Sequence, residues 1–404
     1  MFDPPLDPEL IPAPGRLPER VLYSTGARLG GHGLGSSSFE GAMGSHQLGR
    51  LGLAVAYGNA QRVIPRRLIR TVACHPVRCL SWIDRAAGFD AARKAVDLIA
   101  AGALARGGFD LFHGWSGDAF ASLVEARRRG VPSMIEIPTW HRDKGRRKPF
   151  ATLSNRQQRE FVSRHPWRGW RQRCTIDRPR ILAEYELVDL LLLQSRRAAE
   201  SFIDSGVPEH KLWYVGRGVD PRRFHPAASP PDLFRLVFVG DLIERKGVHH
   251  LLRAWRSLAL KDAELVLVGT VPAAMRPLLA EFGGPDVRTP GFQPDIVPML
   301  QSAAAFVFPS ECEGTAKATL EAAACGLPLI STREAGDAVI DQVNGLQVPA
   351  NDPDALAAAI EHLHRHPERL PEMGRQSRQR VLERFTWDHY RTRVLHACAH
   401  LQRR

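Results

Sequence analysis

The stretch from Pro309 to Thr332, P-S-E-C-E-G-T-A-K-A-T-L-E-A-A-A-C-G-L-P-L-I-S-T, constrains the fold more than any other part of the chain. An apolar run, Ala303 to Phe308, leads into it and reads as a buried strand. A turn carrying Glu311, Glu313 and Gly314 follows. Ala316 to Cys325 then reads as a helix rich in Ala and Leu, and Gly326 stands where a left-handed C-terminal cap belongs. Leu327 to Ser331 opens the next strand. Strand, loop, helix and strand in this order form one unit of a parallel sheet. Glu313 falls in the loop, and Glu321 about two turns further in, on the helix. Backbone amides at the start of such a helix attract anionic oxygen. A carboxylate on the helix can accept from both hydroxyls of a vicinal diol. The spacing by itself also describes an ordinary solvated helix face, so the context decides.

The context is specific. The pattern P-S-x-x-E-G-x-x-x-x-x-L-E-A-x-x-x-G-x-P-L-I-S resembles the donor-site signature of the family 4 retaining glycosyltransferases. The resemblance implies an α/β chain of the GT-B fold, with two Rossmann-like parallel-sheet domains facing an interdomain cleft. By the same resemblance Glu313, with Gly314, Thr315 and Ala316, meets the donor sugar and phosphates, and Glu321 holds the ribose hydroxyls. The family usually has Phe-Gly where this chain has Thr315 and Ala316. Ala316 is small enough for close backbone approach, whereas Thr315 and Lys317 leave the identity of the sugar open.

Upstream, Phe234 to Val239 reads as a strand running into G-D-L-I-E-R-K-G, residues 240–247. Asp241 stands where the family has Arg after Gly240. Arg245 and Lys246 remain as cations at the helix entrance, and the position of Lys246 meets the donor pyrophosphate in the family. A nucleoside diphosphate leaving group gains charge as the glycosidic bond breaks, and positioned cations stabilise it. An Arg-Lys pair at a turn is otherwise an ordinary solvated feature; it gains meaning because E-G-x₅-L-E follows in the expected order. Gly291-Phe292-Gln293-Pro294 resembles the family's segment beneath the nucleotide base, and Phe385-Thr386-Trp387 resembles the F-x-W start of a last helix that crosses back to the first domain.

The first half is harder to read. Arg20 to Ser24 is a strand candidate, followed by a glycine-dense stretch. Gly31 and Gly33 would belong to a dinucleotide fingerprint only if a third glycine stood at position 36, which is Ser36. Through the resemblance these two glycines instead belong to a loop on the donor side of the cleft. Ser45 to Tyr57 is expected to form the first helix. Phe109 to His113 reads as a strand ending in a histidine, where parallel sheets collect catalytic groups. The family commonly has a second His at the position of Trp115. His113 is the catalytic candidate here, and Glu136 and His141, near the end of the next strand, are candidates on the acceptor side. Each histidine has an alternative as a packed structural residue.

At 404 residues the chain is too long for one ordinary core. The expected division is a disordered tail over 1–19, an acceptor-binding Rossmann-like domain over 20–225, a linker over 226–233, a nucleotide-sugar-binding domain over 234–385 and a crossing helix over 386–404. The net charge is 55 − 43 = +12. Residues 141–180 hold 13 Lys plus Arg against 3 Asp plus Glu, with Trp140, Trp167 and Trp170 in or beside them. This segment suits an anionic membrane surface or an acidic acceptor, with a solvated arginine-rich surface as the plain alternative. No nucleic-acid module is recognisable, so nucleic acid is not an expected partner. The six Cys form no C-x-x-C pair and read as reduced, mostly buried thiols. No run is long and apolar enough for a membrane span. A cytoplasmic protein, peripheral on the inner face of the membrane, is the expected location.

The resulting expectation is a retaining hexosyltransferase moving a sugar from a UDP- or GDP-sugar to a hydroxyl of a glycan, glycolipid or small molecule. No cofactor is expected, and no metal, because no D-x-D stands out as a ligand pair. The alternatives are a sugar-nucleotide epimerase of the same fold and a non-catalytic protein that binds anions or nucleic acid through residues 141–180.

Overall fold

The structure, a computed structural model, describes residues 17–31, 33–72, 90–144, 178–229 and 231–402. The chain divides into two compact units. The first takes the chain up to Leu193, then Ser201–Val215 and the residues from Tyr390 onward; the second takes Gln194–Glu200 and Gly216–His389. Most of the basic segment, residues 145–177 with Trp167 and Trp170, lies outside the described residues, as does the tail up to residue 16.

The first unit is built on a seven-stranded sheet: β1 (Val21–Leu29), β2 (Leu51–Asn59), β3 (Ile69–Thr71), β4 (Leu111–Trp115), β5 (Ser133–Ile137), β6 (Leu190–Leu193) and β7 (Leu212–Tyr214). The order is β3-β2-β1-β4-β5-β6-β7, and every pairing is parallel. The winding reverses between β1 and β4, where open α/β sheets place their ligands. The described helices are α1 (Leu34–Gln47), α2 (Ala91–Arg106), α3 (Phe120–Arg129) and α4 (Arg178–Leu187), while α5 (Arg196–Ile203) is divided, with Arg196 to Glu200 counted in the second unit. β4, β5 and β6 are buried along their whole length, as expected of parallel strands covered on both faces.

Residues 45–57 are not a helix. α1 starts earlier, at Leu34, and Leu51–Asn59 is β2, paired in register with β1 from Val21 opposite Leu51. The misreading comes from the glycines. Gly35, Gly41 and Gly44 lie inside α1, where glycine is costly in isolation. Packing requires two of them: a Cβ on Gly35 would sit 2.3 Å from Arg28 O, and one on Gly41 would sit 2.9 Å from both Glu136 Oε1 and Tyr23 Oη. Glycine here brings the helix close to the sheet.

The second unit has six parallel strands in the order β10-β9-β8-β11-β12-β13: β8 (Phe234–Val239), β9 (Ala263–Val268), β10 (Val287–Gly291), β11 (Ala305–Phe308), β12 (Leu329–Thr332) and β13 (Gly345–Val348). Its helices are α6 (Val248–Leu258), α7 (Arg276–Phe282), α8 (Val297–Gln301), α9 (Lys317–Ala324), α10 (Pro353–Arg365) and α11 (Leu370–Arg384), and α12 (Trp387–Leu401) closes the chain. One continuous apolar core fills the space between these helices and the sheet. α9 stops as its sequence demands. Gly326 adopts φ +76°, its amide donates to Ala323 O at 3.0 Å, and the Leu327 amide donates to Ala322 O at 3.1 Å. Among the described residues, no helix is long and apolar enough to cross a membrane.

Candidate functional site

Two loops at the ends of β8 and β11 meet in the second unit. Gly240 leaves β8 at φ +151°, and a Cβ there would lie 2.6 Å from Lys246 Nζ. Glycine therefore lets the ammonium rest against the backbone. Arg245 and Lys246 lie in a single tight turn ended by Gly247, at φ +70°. A Cβ on Gly247 would collide with Pro309 O at 2.0 Å, so the β8–α6 loop sits directly on the β11–α9 loop. The Glu311 amide and the Ser310 hydroxyl both donate to Arg245 O, at 2.9 and 3.0 Å. The Arg245 guanidinium donates to Cys312 O and pairs with Glu313 Oε1 at 2.8 Å. Arg245, Lys246 and Glu313 are thus fixed in one cluster.

The start of α9 is open beside this cluster. Its N-cap, Ala316, supplies no side-chain acceptor. The Glu313 and Ala316 amides are taken by Glu334 O and Ala335 O, at 2.9 and 2.8 Å, but no described residue accepts from the amides of Gly314 and Thr315. The Thr315 hydroxyl turns inward to donate to Gln194 O at 2.5 Å, while Arg217 donates to Thr315 O at 3.3 Å. Thr315 and Ala316 are both buried, so backbone rather than side chain forms this face. Burial lowers the pKa of Lys246, and the carboxylates of Glu313 and Asp241 act in the other direction. A desolvated ammonium next to open helix amides suits a phosphate-like anion. Glu321, buried on α9, pairs with Lys317 Nζ at 2.9 Å, one turn back on the helix. Phe292, in the loop after β10, is 64% exposed.

The first unit carries a cavity of about 540 Å³ at the ends of β1, β4 and β5, with Gly26, Arg93, Trp115, Asp118, Trp140 and Tyr185 among its lining residues. Its Asp118 carboxylate and Arg93 guanidinium are engaged by the protein itself. Asp118 accepts from the Gly26 amide at 2.8 Å and from Arg93 Nε. Burial raises the Asp118 pKa, opposed by Arg93. Behind the cavity, Glu184 accepts from the amides of Gly117 at 2.6 Å and Ala119 at 3.2 Å. Burial pushes its carboxyl up from 4.5 to about 7.

His113, Glu136 and His141 lie behind this lining. β4 runs two residues further than the sequence suggested, so its end is Trp115 and His113 is mid-strand. His113 and Glu136 are wholly buried, with Nε2 3.1 Å from Oε1. The Tyr390 hydroxyl donates to the other oxygen of Glu136 at 2.7 Å. In this arrangement neither side chain reaches the cavity surface. The His141 amide donates to Ser201 Oγ at 2.8 Å, and its ring packs on Tyr185 and Phe202 at centroid distances of 5.1 and 4.9 Å. Its neighbours Trp140 and Arg142 line the cavity instead. Gly31 closes a tight turn with its amide on Arg28 O at 2.8 Å, and Gly33, at φ +62°, precedes α1 with open space where a Cβ would stand. Asp118, Arg93 and Glu184 went unsingled in the sequence. The one local signal was Ser116-Gly117-Asp118 directly after β4, with Gly117 at φ +90°.

Residues 234–366, the core of the second unit, match the family model described as Glycosyl transferases group 1. Over 94% of this chain and 99% of the other, the structure matches Anabaena Alr3699/HepE, solved in complex with UDP, with a TM-score of 0.66 at 14% identity. The fold is GT-B. Among curated proteins, this GT-B chain is 28% identical over 306 residues to the MMP alpha-(1->4)-mannosyltransferase of Mycolicibacterium hassiacum, covering 73% of this chain and 72% of that protein. It is 30% identical over 203 residues to the amylovoran biosynthesis glycosyltransferase AmsK of Erwinia amylovora, covering 46% of this chain and 49% of that one. With several of these relatives the match spans about half of their length.

Proposed function

We propose that this chain is a retaining glycosyltransferase of family 4 type, moving a hexose from a nucleotide-sugar donor to a hydroxyl acceptor. The observation that carries the reading is the uncapped start of α9, set against the fixed cluster of Arg245, Lys246 and Glu313. The donor diphosphate is assigned to Lys246, Arg245 and the amides of Gly314 and Thr315, with the backbone at Gly240 and Ala316 in close approach. Glu321 would release Lys317 to accept from the ribose hydroxyls, and Phe292 is free to lie against the base. Gly31 and Gly33 remain on the donor side as proposed backbone contacts. As the glycosidic bond breaks, negative charge moves onto the departing phosphate, and ammonium, guanidinium and amides meet it without reorganising. Glu313 keeps Arg245 oriented for that step. UDP in the neighbouring structure, and mannosyl transfer in the name of a relative, support a nucleoside-diphosphate hexose as donor. No metal at the phosphates is part of the proposal.

The acceptor is assigned to the aromatic-walled cavity of the first unit, and a glycan or lipid-linked sugar suits its size and polarity. His113 and Glu136 then act from behind, holding the end of β4, and His141 positions Trp140. Residues 141–180 would hold the protein at an anionic, inner membrane surface, which sedimentation with acidic vesicles at low salt tests. The epimerase and binding-protein alternatives are not favoured by the glycosyltransferase match.

The direct test is nucleoside diphosphate release from a panel of UDP- and GDP-hexoses with glycan and lipid-linked acceptors. One donor should be turned over, giving a product with the donor's anomeric configuration by NMR. No release from any donor would overturn the transferase reading, and an inverted product would overturn retention.

A further inference from the structure

His249 and His250 stand side by side in the first turn of α6, and Glu311 faces them from the β11–α9 loop. One ligand atom from each residue lies within 4.8 Å of the other two. Successive side chains on a helix normally diverge, yet these two rings lie 3.9 Å apart between centroids. His250 Nε2 is 3.2 Å from Asn351 Oδ1. The amide oxygen can only accept, so Nε2 carries the proton and Nδ1 carries the lone pair. That Nδ1 is buried and makes no hydrogen bond. An outer acceptor that fixes the tautomer, with the second nitrogen left as a lone pair, is the usual setting of a metal-bound imidazole.

We propose that His249, His250 and Glu311 bind one divalent transition-metal ion of the zinc class, joining the first turn of α6 to the β11–α9 loop. Two imidazoles and a carboxylate are a borderline-soft N₂O set, suited to zinc or cobalt and poorly suited to magnesium or calcium. Bonds of about 2.0–2.2 Å require tetrahedral ligand atoms about 3.4 Å apart. The observed spread closes to that by a side-chain movement of about 1 Å, within rotamer freedom at partly exposed positions. The positive end of the α6 dipole opposes a cation, which weakens binding by about two- to five-fold. The ion would brace the two loops that carry Arg245 and Glu313 from outside their cluster. The proposal is independent of the transferase reading, since it concerns none of the groups assigned to donor or acceptor.

The test uses untagged, metal-stripped full-length protein titrated with Co²⁺ and Zn²⁺, followed by calorimetry, cobalt visible absorption and thermal melting. Wild type should bind one equivalent with a visible d–d band and a raised melting temperature. His250→Ala and Glu311→Gln should each weaken binding at least ten-fold and lose the band. His366→Ala, just past the end of α10 and packed against His362, should bind as wild type does. Circular dichroism checks that the variants fold. No binding by wild type would overturn the proposal. So would binding that persists unchanged in both His250→Ala and Glu311→Gln.

Discussion

The two sheets share a topology and treat their polar groups in opposite ways. In the first unit, the carboxylates around the cavity are consumed internally: Glu184 by two amides, Asp118 by Gly26 and Arg93, Glu136 by His113 and Tyr390. In the second, the carboxylates are matched to cations, Glu313 to Arg245 and Glu321 to Lys317, while amides at the start of α9 stay open. Unpaired backbone donors beside cations suit an anion. A cavity whose carboxylates are satisfied, walled by Trp115, Trp140 and Tyr185, offers shape and aromatic faces instead. On the proposed function, charge stabilisation belongs to one unit and acceptor fit to the other.

That contrast can be broken most sharply at Lys246. Lys246→Ala should lower turnover by about 10²–10³-fold, roughly 3 kcal/mol, with the fold intact. Turnover near wild type would mean that the open-donor side does not carry the charge. In the first unit the expected effect is on stability. Because Glu184 holds its proton up to about 7 when folded against 4.5 otherwise, the native state binds more protons between those values. Stability therefore falls as pH rises from 4.5 through 7 and is flat above, a loss of up to about 3 kcal/mol. Urea titrations across that range should show the slope, and Glu184→Gln should remove it. An unchanged slope in the variant would assign it elsewhere.

Smaller effects sharpen the comparison. Gly326→Ala places a side chain in the left-handed region, at a cost of about 1–2 kcal/mol in unfolding free energy, read from a lower urea midpoint. Its nucleotide affinity should hold, because the open end of α9 is untouched. Trp140→Ala should raise the acceptor KM several-fold, about 1 kcal/mol, with donor affinity unchanged. A shift in donor affinity instead would blur the division between the units.

The same contrast explains what the sequence made legible. The proposed anion site, built from backbone, needs small residues at fixed places, and Gly240, Gly247 and Gly314 mark them along two short stretches. Charged partners one helical turn or one loop apart are visible in a linear text. The cavity of the first unit is assembled from β1, α2, the end of β4 and α4, and only the strand order brings Arg93, Asp118 and Glu184 together. His113 was read as a strand end because the apolar run starts at Phe109, whereas the ladder starts at Leu111 and ends at Trp115. The start of α1 is masked in the sequence by glycines that answer to Arg28, Tyr23 and Glu136, all outside the helix.

The central claim is that α9 and the two loops before it hold a nucleoside diphosphate. Calorimetric titration of UDP, GDP and ADP into wild type and Glu321→Ala tests it directly. The expected result is one site per chain for at least one nucleotide, with affinity at least ten-fold weaker in the variant, about 1.4 kcal/mol. Absence of binding by all three, or equal affinity in both proteins, would contradict it.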